Sequence, residues 1–308
     1  LTETIAPGTP PANGGSAGLQ VKPRSEWQMI RRRFFRHRMA LAGMIVLIIV
    51  VAGSLIGGRL WVFTYDEITP DYSTGPTWDH PMGTDGVGHD VFAMVLRGSQ
   101  KSVQIMLLVA LFSTVFGVAV GAIAGYYRGW IDSLLMRTVD LILTIPTLAV
   151  LLVLSRRVVN AGGGGWVWLS IIIAALVWTP IARIVRAEVL SVREKEFVEA
   201  ARAAGATNRR IIVRHILPNI VGSVIVAATL TMASAILIET TLSYLGLGVR
   251  SPDTSLGRLV ADGQTAAQTR PWLFYFPGFV IIVIVLCVNF IGDGLRDAFD
   301  PKQTRVRA

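Results

Sequence analysis

Side chains able to carry covalent chemistry are sparse in this sequence. The four histidines, His37, His80, His89 and His215, are dispersed among polar stretches, with neither H-E-x-x-H spacing nor paired carboxylates beside them, so no metal site is read from them. The single cysteine, Cys287, stands in an apolar run and supports neither a disulfide framework nor a thiolate cluster. None of the four lysines, Lys22, Lys101, Lys195 and Lys302, follows a glycine, which excludes the G-x-x-x-x-G-K-[ST] loop that cradles nucleotide phosphates. The chain is read with no catalytic residue, no metal ligand set and no cofactor of its own. What the sequence does offer is a surface suited to contact with another protein.

The residues that suit such a contact lie between Arg183 and Arg214, the longest charged excursion between two apolar runs. At its middle stand Glu199-Ala200-Ala201-Arg202-Ala203-Ala204-Gly205, followed by Pro218 thirteen residues after the glycine. Phe197, Ala200, Ala201 and Ala204 follow i, i+3, i+4, i+7 spacing and share one helical face, while Glu196, Glu199 and Arg202 take the others. A small, shallow apolar face lets a helix seat closely in a groove of another protein, and Gly205 can end that helix in a left-handed conformation. The competing reading is an amphipathic helix resting on lipid, which ordinarily carries larger apolar residues.

These residues need a frame. With 52% hydrophobic and 16% charged residues, and uncharged runs that meet the roughly 20 residues a bilayer crossing needs, the chain reads as an all-α integral membrane protein. The runs are continuously apolar instead of alternating, which favours helices over a barrel. Six spans are predicted near 39–58, 102–127, 133–155, 166–182, 217–238 and 271–292; the third carries Arg137 and Asp140 inside it. The run from Met39 is longer than a signal h-region and is expected to stay as the first span. Six crossings put both termini on one side, and 21 of the 29 lysines and arginines fall there, predicting cytoplasmic termini. The net charge of +9 is then topology and contact with membrane lipid headgroups, with no nucleic-acid partner.

Around the six-span domain, 39–300, the sequence predicts a flexible cytoplasmic tail at 1–23 and a basic amphipathic segment at 24–38. Further on come an irregular external segment at 59–101, a cytoplasmic coupling loop at 183–216, an external loop at 241–270 and a short cytoplasmic tail at 301–308.

At this point the chain resembles the permease subunits of ATP-binding-cassette importers, whose cytoplasmic loop reads E-A-A, three residues, G, then I-x-L-P or a near variant. Glu199-Ala200-Ala201, Gly205 and Ile216-Leu217-Pro218 supply it, in a shortened I-L-P form. The likeness extends to the C-type subunit of the dipeptide and oligopeptide branch. His80-Pro81-Met82-Gly83-Thr84-Asp85 through Gly88-His89-Asp90 is similar to that branch's H-P-x-G-T-D-x-x-G-R-D, and Leu242 through Gly248 to its L-S-F-L-G-L-G. Asn289 through Asp297, with Asp300-Pro301, resembles its closing signature. Two departures stand out: His89 in place of an arginine, and Leu256 in place of a tryptophan before Gly257.

The resemblance covers about residues 28–302 and implies the six-helix type I (MetI-like) importer permease fold. It implies partners too: a homologous second permease subunit, two ATPase domains or subunits that bind the ATP and Mg, and an extracytoplasmic peptide-binding protein. The coupling helix would sit in an ATPase cleft and move with it. The cargo stays open among dipeptide, oligopeptide, glutathione, haem and a chelated metal.

Ionisable residues in apolar runs carry two readings each. Arg137 and Asp140, at i and i+3, either form a structural ion pair near the cytoplasmic end or act in transport. Glu239 either lines the pathway or caps a neighbouring helix. Asp293, Arg296, Asp297 and Asp300 form a self-paired helix end, or a second contact with the ATPase or the flexible tail. An ion-coupled secondary transporter is the rival from another class, and would need coupling charges and broken helices at mid-membrane.

Overall fold

The computed structural model describes residues 26–160 and 165–299; the expected tails, Asp300-Pro301 and most of the Gly162–Gly165 turn lie outside these residues. Among the described residues the regular elements are helices, with one isolated antiparallel bridge between Thr84 and Asp90. A short helix α1 (Glu26–Phe34) leads into α2 (Arg38–Leu60) and, after an irregular stretch, α3 (Val91–Tyr127). Then come α4 (Gly129–Thr144), α5 (Thr147–Asn160), α6 (Trp166–Val177) and α7 (Thr179–Val192). The short α8 (Glu196–Ala203) and α9 (Asn208–Ile211) precede a π turn at Ile212–Ile216, which runs into α10 (Leu217–Tyr244). Helices α11 (Leu256–Gly263) and α12 (Trp272–Phe299) close the chain.

Among the described residues four stretches are long and apolar enough to cross a membrane unbroken: α2, α3, Asn208–Tyr244 and α12. Two more crossings exist if each bent pair counts as one, α4 with α5 at 85° and α6 with α7 at 45°. The predicted third span is therefore not one straight helix. Pro146 explains the break: the residue before a proline is pushed out of the helical region, and Ile145 is extended at φ −86 and ψ 133. Pro180, in the first turn of α7, marks the second bend.

Helix α3 is central, with α2, α6, α7, α10 and α11 packed on it. Its approach to α7 depends on Gly117, Gly121 and Gly125, which stack one turn apart; a Cβ on Gly121 would stand 2.5 Å from the Ala182 carbonyl oxygen. Small residues at every fourth position let two backbones meet where lipid gives no hydrophobic drive to hold larger side chains together.

Two segments are more helical than predicted. The external segment 59–101 ends early, because α3 begins at Val91, capped by Asp90, whose carboxylate accepts from the Ala93 N–H at 2.6 Å. The stretch 183–216 is not a single loop: α7 continues to Val192, and Asn208 onward belongs to the next long helix. That helix passes Pro218 without stopping. A proline removes an amide donor and clashes with the carbonyl four residues back, and the π turn before it, with Leu217 N–H bonded to Ile212 O, relocates that carbonyl.

Candidate docking surface

The loop between α7 and α9 holds α8 away from the bundle by a narrow foot. Val198 is fully buried among Ile211, Ile216 and Val192, and Ala201 is partly buried beside it. Phe197, Glu199, Ala200, Arg202, Ala204 and Gly205 are exposed. The face read from the spacing thus splits: Ala201 turns inward with Val198, while Phe197, 39% exposed, and the other alanines face outward. Val198 is the anchor the spacing argument missed, because its neighbours are small enough that one valine suffices.

Gly205 closes the helix at φ +78. Its N–H donates to Arg202 O at 3.0 Å, and the Ala206 N–H donates to Ala201 O at 3.0 Å, the paired bonds of a Schellman ending. A Cβ there would touch nothing within 4 Å, so glycine is required by the backbone angle alone.

Polar contacts tie this loop to the bundle. Tyr126 Oη donates to Asn208 Oδ1 at 2.8 Å, joining the end of α3 to α9. Arg193 donates to the Tyr126 carbonyl, and Arg128, itself at φ 56, pairs with Glu194 at 2.8 Å. One turn deeper, Arg186 forks onto Asp132 at 2.5 and 2.6 Å, and Ser223 donates to Glu188 at 2.8 Å. These bonds tie the segments on either side of α8 to α3, α4 and α7, while α8 itself is held through Val198.

The anticipated pair between Arg137 and Asp140 is not made. Asp140 pairs with Arg183 of α7, and Arg137 is exposed with no ion pair among the described residues. Both lie on an exposed face of α4 that continues through Leu141, Leu143, Ile145 and Leu148. Glu239 is fully buried near the opposite end of the bundle, where its Oε1 accepts from Ser243 Oγ at 2.7 Å and Ser255 Oγ at 2.6 Å. Ser255 is the N-cap of α11, so Glu239 is joined to the start of that helix through the capping serine and, among the described residues, caps no backbone N–H itself. Asp297 lies 3.5 Å from His37, the N-cap of α2.

At that opposite end the segment 61–90 is knotted by its own polar side chains. Asp85 accepts from the Val87, Gly88 and His89 N–H groups, each at 2.8 Å, and its second oxygen pairs with His89 Nδ1 at 2.8 Å. Burial opposes the charge on Asp85, but the His89 and Val87 hydrogen bonds outweigh it and hold the carboxyl below the usual carboxylate range. His80, buried and stacked on Phe63, donates from Nδ1 to Asp90 at 2.7 Å. Gly83, at φ +74, leaves room for Trp272, whose indole N–H reaches the Thr84 carbonyl at 3.1 Å, while the Thr84 hydroxyl accepts from the Thr74 N–H. The two departures are absorbed locally: His89 in the Asp85 turn, and Leu256 in the core, its N–H donating to Ser102 Oγ at 3.1 Å.

Lys101 and Arg97, both in α3, converge on Asp253 at 3.1 and 2.6 Å. Burial again opposes the carboxylate, and the hydrogen bonds from Lys101 and Arg97 prevail, leaving Asp253 below the usual range. This clasp pins the loop before α11 onto α3. Sequence reasoning missed it because its partners lie about 150 positions apart.

Residues 117–305 match the family described as binding-protein-dependent transport system inner membrane component, and residues 25–76 match the N-terminal transmembrane domain of oligopeptide transport permease C. The oligopeptide transport system permease protein OppC of Mycobacterium tuberculosis is 40% identical over 282 residues, 91% of this chain and 96% of the relative. OppC of Escherichia coli is 38% identical over 294 residues, 93% and 95% of the two chains. The dipeptide transport system permease protein DppC of Alkalihalophilus pseudofirmus is 37% identical over 300 residues, 96% of each. Among solved structures, a chain of the inward-facing MetNI methionine ABC transporter superposes with a TM-score of 0.57 at 19% identity, covering 67% of this chain and 96% of that one. That likeness supports the same helical permease fold.

Proposed function

The chain belongs to the family of binding-protein-dependent transport inner-membrane components, in its oligopeptide and dipeptide permease branch, and from that premise we propose that it is the peptide-importing permease subunit that forms half of a translocation pathway. Partner ATPase subunits grip α8 and supply the work; this chain contributes no chemistry. The observation that carries the reading is the build of α8: a helix closed by a Schellman turn and footed on Val198, with Phe197, Ala200 and Ala204 turned outward. That shape fits a protein cleft, and the bonds from Arg193, Tyr126 and Arg128 give a pull on it a route into α3 and α4.

A second homologous permease covers the exposed α4–α5 face. Arg137 and Asp140 are exposed there on a helix of the bent pair; Asp140 is paired with Arg183, but Arg137 has no ion pair among the described residues, and the polar groups of a second subunit receive it better than lipid does. The α8 end faces the cytoplasm, and a peptide-loaded binding protein docks at the opposite end, against residues 61–90 and α11.

The test is peptide uptake into proteoliposomes by the complex of both permeases, ATPases and binding protein. Uptake that requires ATP and the binding protein is expected. Uptake that continues without ATP but follows an imposed ion gradient would assign a secondary transporter instead.

A further inference from the structure

Beside α8, three arginines remain that the coupling contacts do not use. Thr207, Arg209, Arg210, Val213 and Arg214 line one shallow surface hollow on the first two turns of the Asn208–Tyr244 helix. They occupy the arc opposite Ile211 and Ile216, which are fully buried in the core. The three guanidiniums are exposed and form no ion pair among the described residues, and the chain carries no Asp or Glu at all from 200 through 238. Val213, 58% exposed, sits among them.

Depth decides what covers this hollow. The helix has 37 residues, about 55 Å at 1.5 Å per residue, against a hydrocarbon layer of about 30 Å. Its apolar part runs from Ile216 to Ile238, so Arg214 and Arg210 fall within about 10 Å of the hydrocarbon edge, in the headgroup layer. An exposed valine between arginines suits that boundary, where acyl chains and phosphates meet, better than it suits bulk water.

We propose that this hollow binds the phosphate headgroup of an anionic phospholipid, with Arg209, Arg210 and Arg214 on the phosphate and Val213 against the acyl chains. The Thr207 hydroxyl accepts from the Arg210 N–H at 3.4 Å and fixes where the arginine-bearing helix begins. Through Ile211 and Ile216, which pack with Val198, a lipid seated here steadies the foot of α8. The lipid would then belong to the docking apparatus, and its loss would loosen α8 even in the absence of any ATPase.

The test uses the full chain in nanodiscs holding equal phosphatidylglycerol and phosphatidylcholine, with retained lipid counted by native mass spectrometry after release. The expected result is retained phosphatidylglycerol in excess, falling by about five-fold for each arginine changed in Arg209→Gln, Arg210→Gln and Arg214→Gln, the equivalent of about 1 kcal/mol per charge. A triple change to lysine should keep the excess and shows that the fold tolerates substitution. Equal retention of both lipids by the wild type, or an excess unchanged in the glutamine triple variant, overturns the proposal. Loss of ATPase-subunit binding by that variant, with phosphatidylglycerol retention intact, would assign the arginines to a protein contact instead.

Discussion

Single residues carry different loads at the two ends of the molecule. At Gly205 the load is a backbone angle: φ is +78 and a side chain would meet open space. A Gly205→Val substitution should cost about 1–2 kcal/mol from the left-handed conformation alone, paid locally where α8 closes. The expected outcome is a chain that inserts and melts nearly as the wild type but retains much less ATPase subunit on co-purification, with ATP-driven uptake lost. Full retention and uptake would remove α8 from the coupling role. At Asp85 the load is charge. Its folded-state carboxyl titrates below the usual range because the His89 and Val87 hydrogen bonds overcome burial. The stabilisation is therefore complete above the ordinary aspartate range and fades as pH falls through the lower folded value. Amide exchange across residues 83–90 should accelerate on acidification through that window, and Asp85→Asn should show fast exchange at neutral pH with little further change in acid. An acid response that survives in Asp85→Asn would place the titrating group elsewhere.

Elements succeed or fail on how closely they approach one another. The α3–α7 contact leaves no room at Gly121, so Gly121→Leu should force the helices apart and lower stability by about 1–3 kcal/mol, as overpacking does. Gly53 of α2 is the contrast: a Cβ there meets nothing within 4 Å, and Gly53→Ala should be neutral or raise the melting temperature in detergent through helix propensity. Similar losses in both variants would mean that α3 and α7 do not rely on that close approach. The same elements mark what could be read in the sequence. Continuous apolar runs located the four unbroken spans and the two bent pairs, since length and hydropathy are local properties. The break at Pro146 was written in the sequence, but its size was not, because a proline can kink a helix or end it. The outward placement of Phe197 and Ala200 was legible from helical spacing, whereas the inward turn of Ala201 was not: a small amphipathic face does not reveal which edge its bundle claims. The Asp253 clasp, the hydrogen bond from Ser255 to Glu239 and the shift of Asp140 to Arg183 all depend on tertiary proximity, which no short window contains.

For the whole molecule the open matter is what meets the α4–α5 face. Exposed apolar residues on α2, such as Ile49 and Ile56, suit lipid, in a helix long and apolar enough to cross a membrane. The α4–α5 face differs: Leu141 and Leu148 are exposed too, but Arg137, Asp140 and Thr144 share the surface, and the 85° bend at Pro146 opens it. Lipid is a poor solvent for such a mixture, and a second permease with its own polar groups, or water held between the two, is a better one. Cysteines placed singly at Thr144, Leu141, Ile49 and Ile56, with the buried Cys287 changed to alanine, separate the possibilities. In membranes holding both permeases, Thr144→Cys and Leu141→Cys should cross-link to the second subunit through a short bis-maleimide, and the two α2 cysteines should not. Bound nucleotide should change the Thr144 yield, because the fork of Arg186 on Asp132 ties the exposed helix to α7, which runs into the loop that carries α8. Cross-links that come from Ile49 instead would move the subunit boundary to the other side of the bundle and leave Arg137 facing lipid.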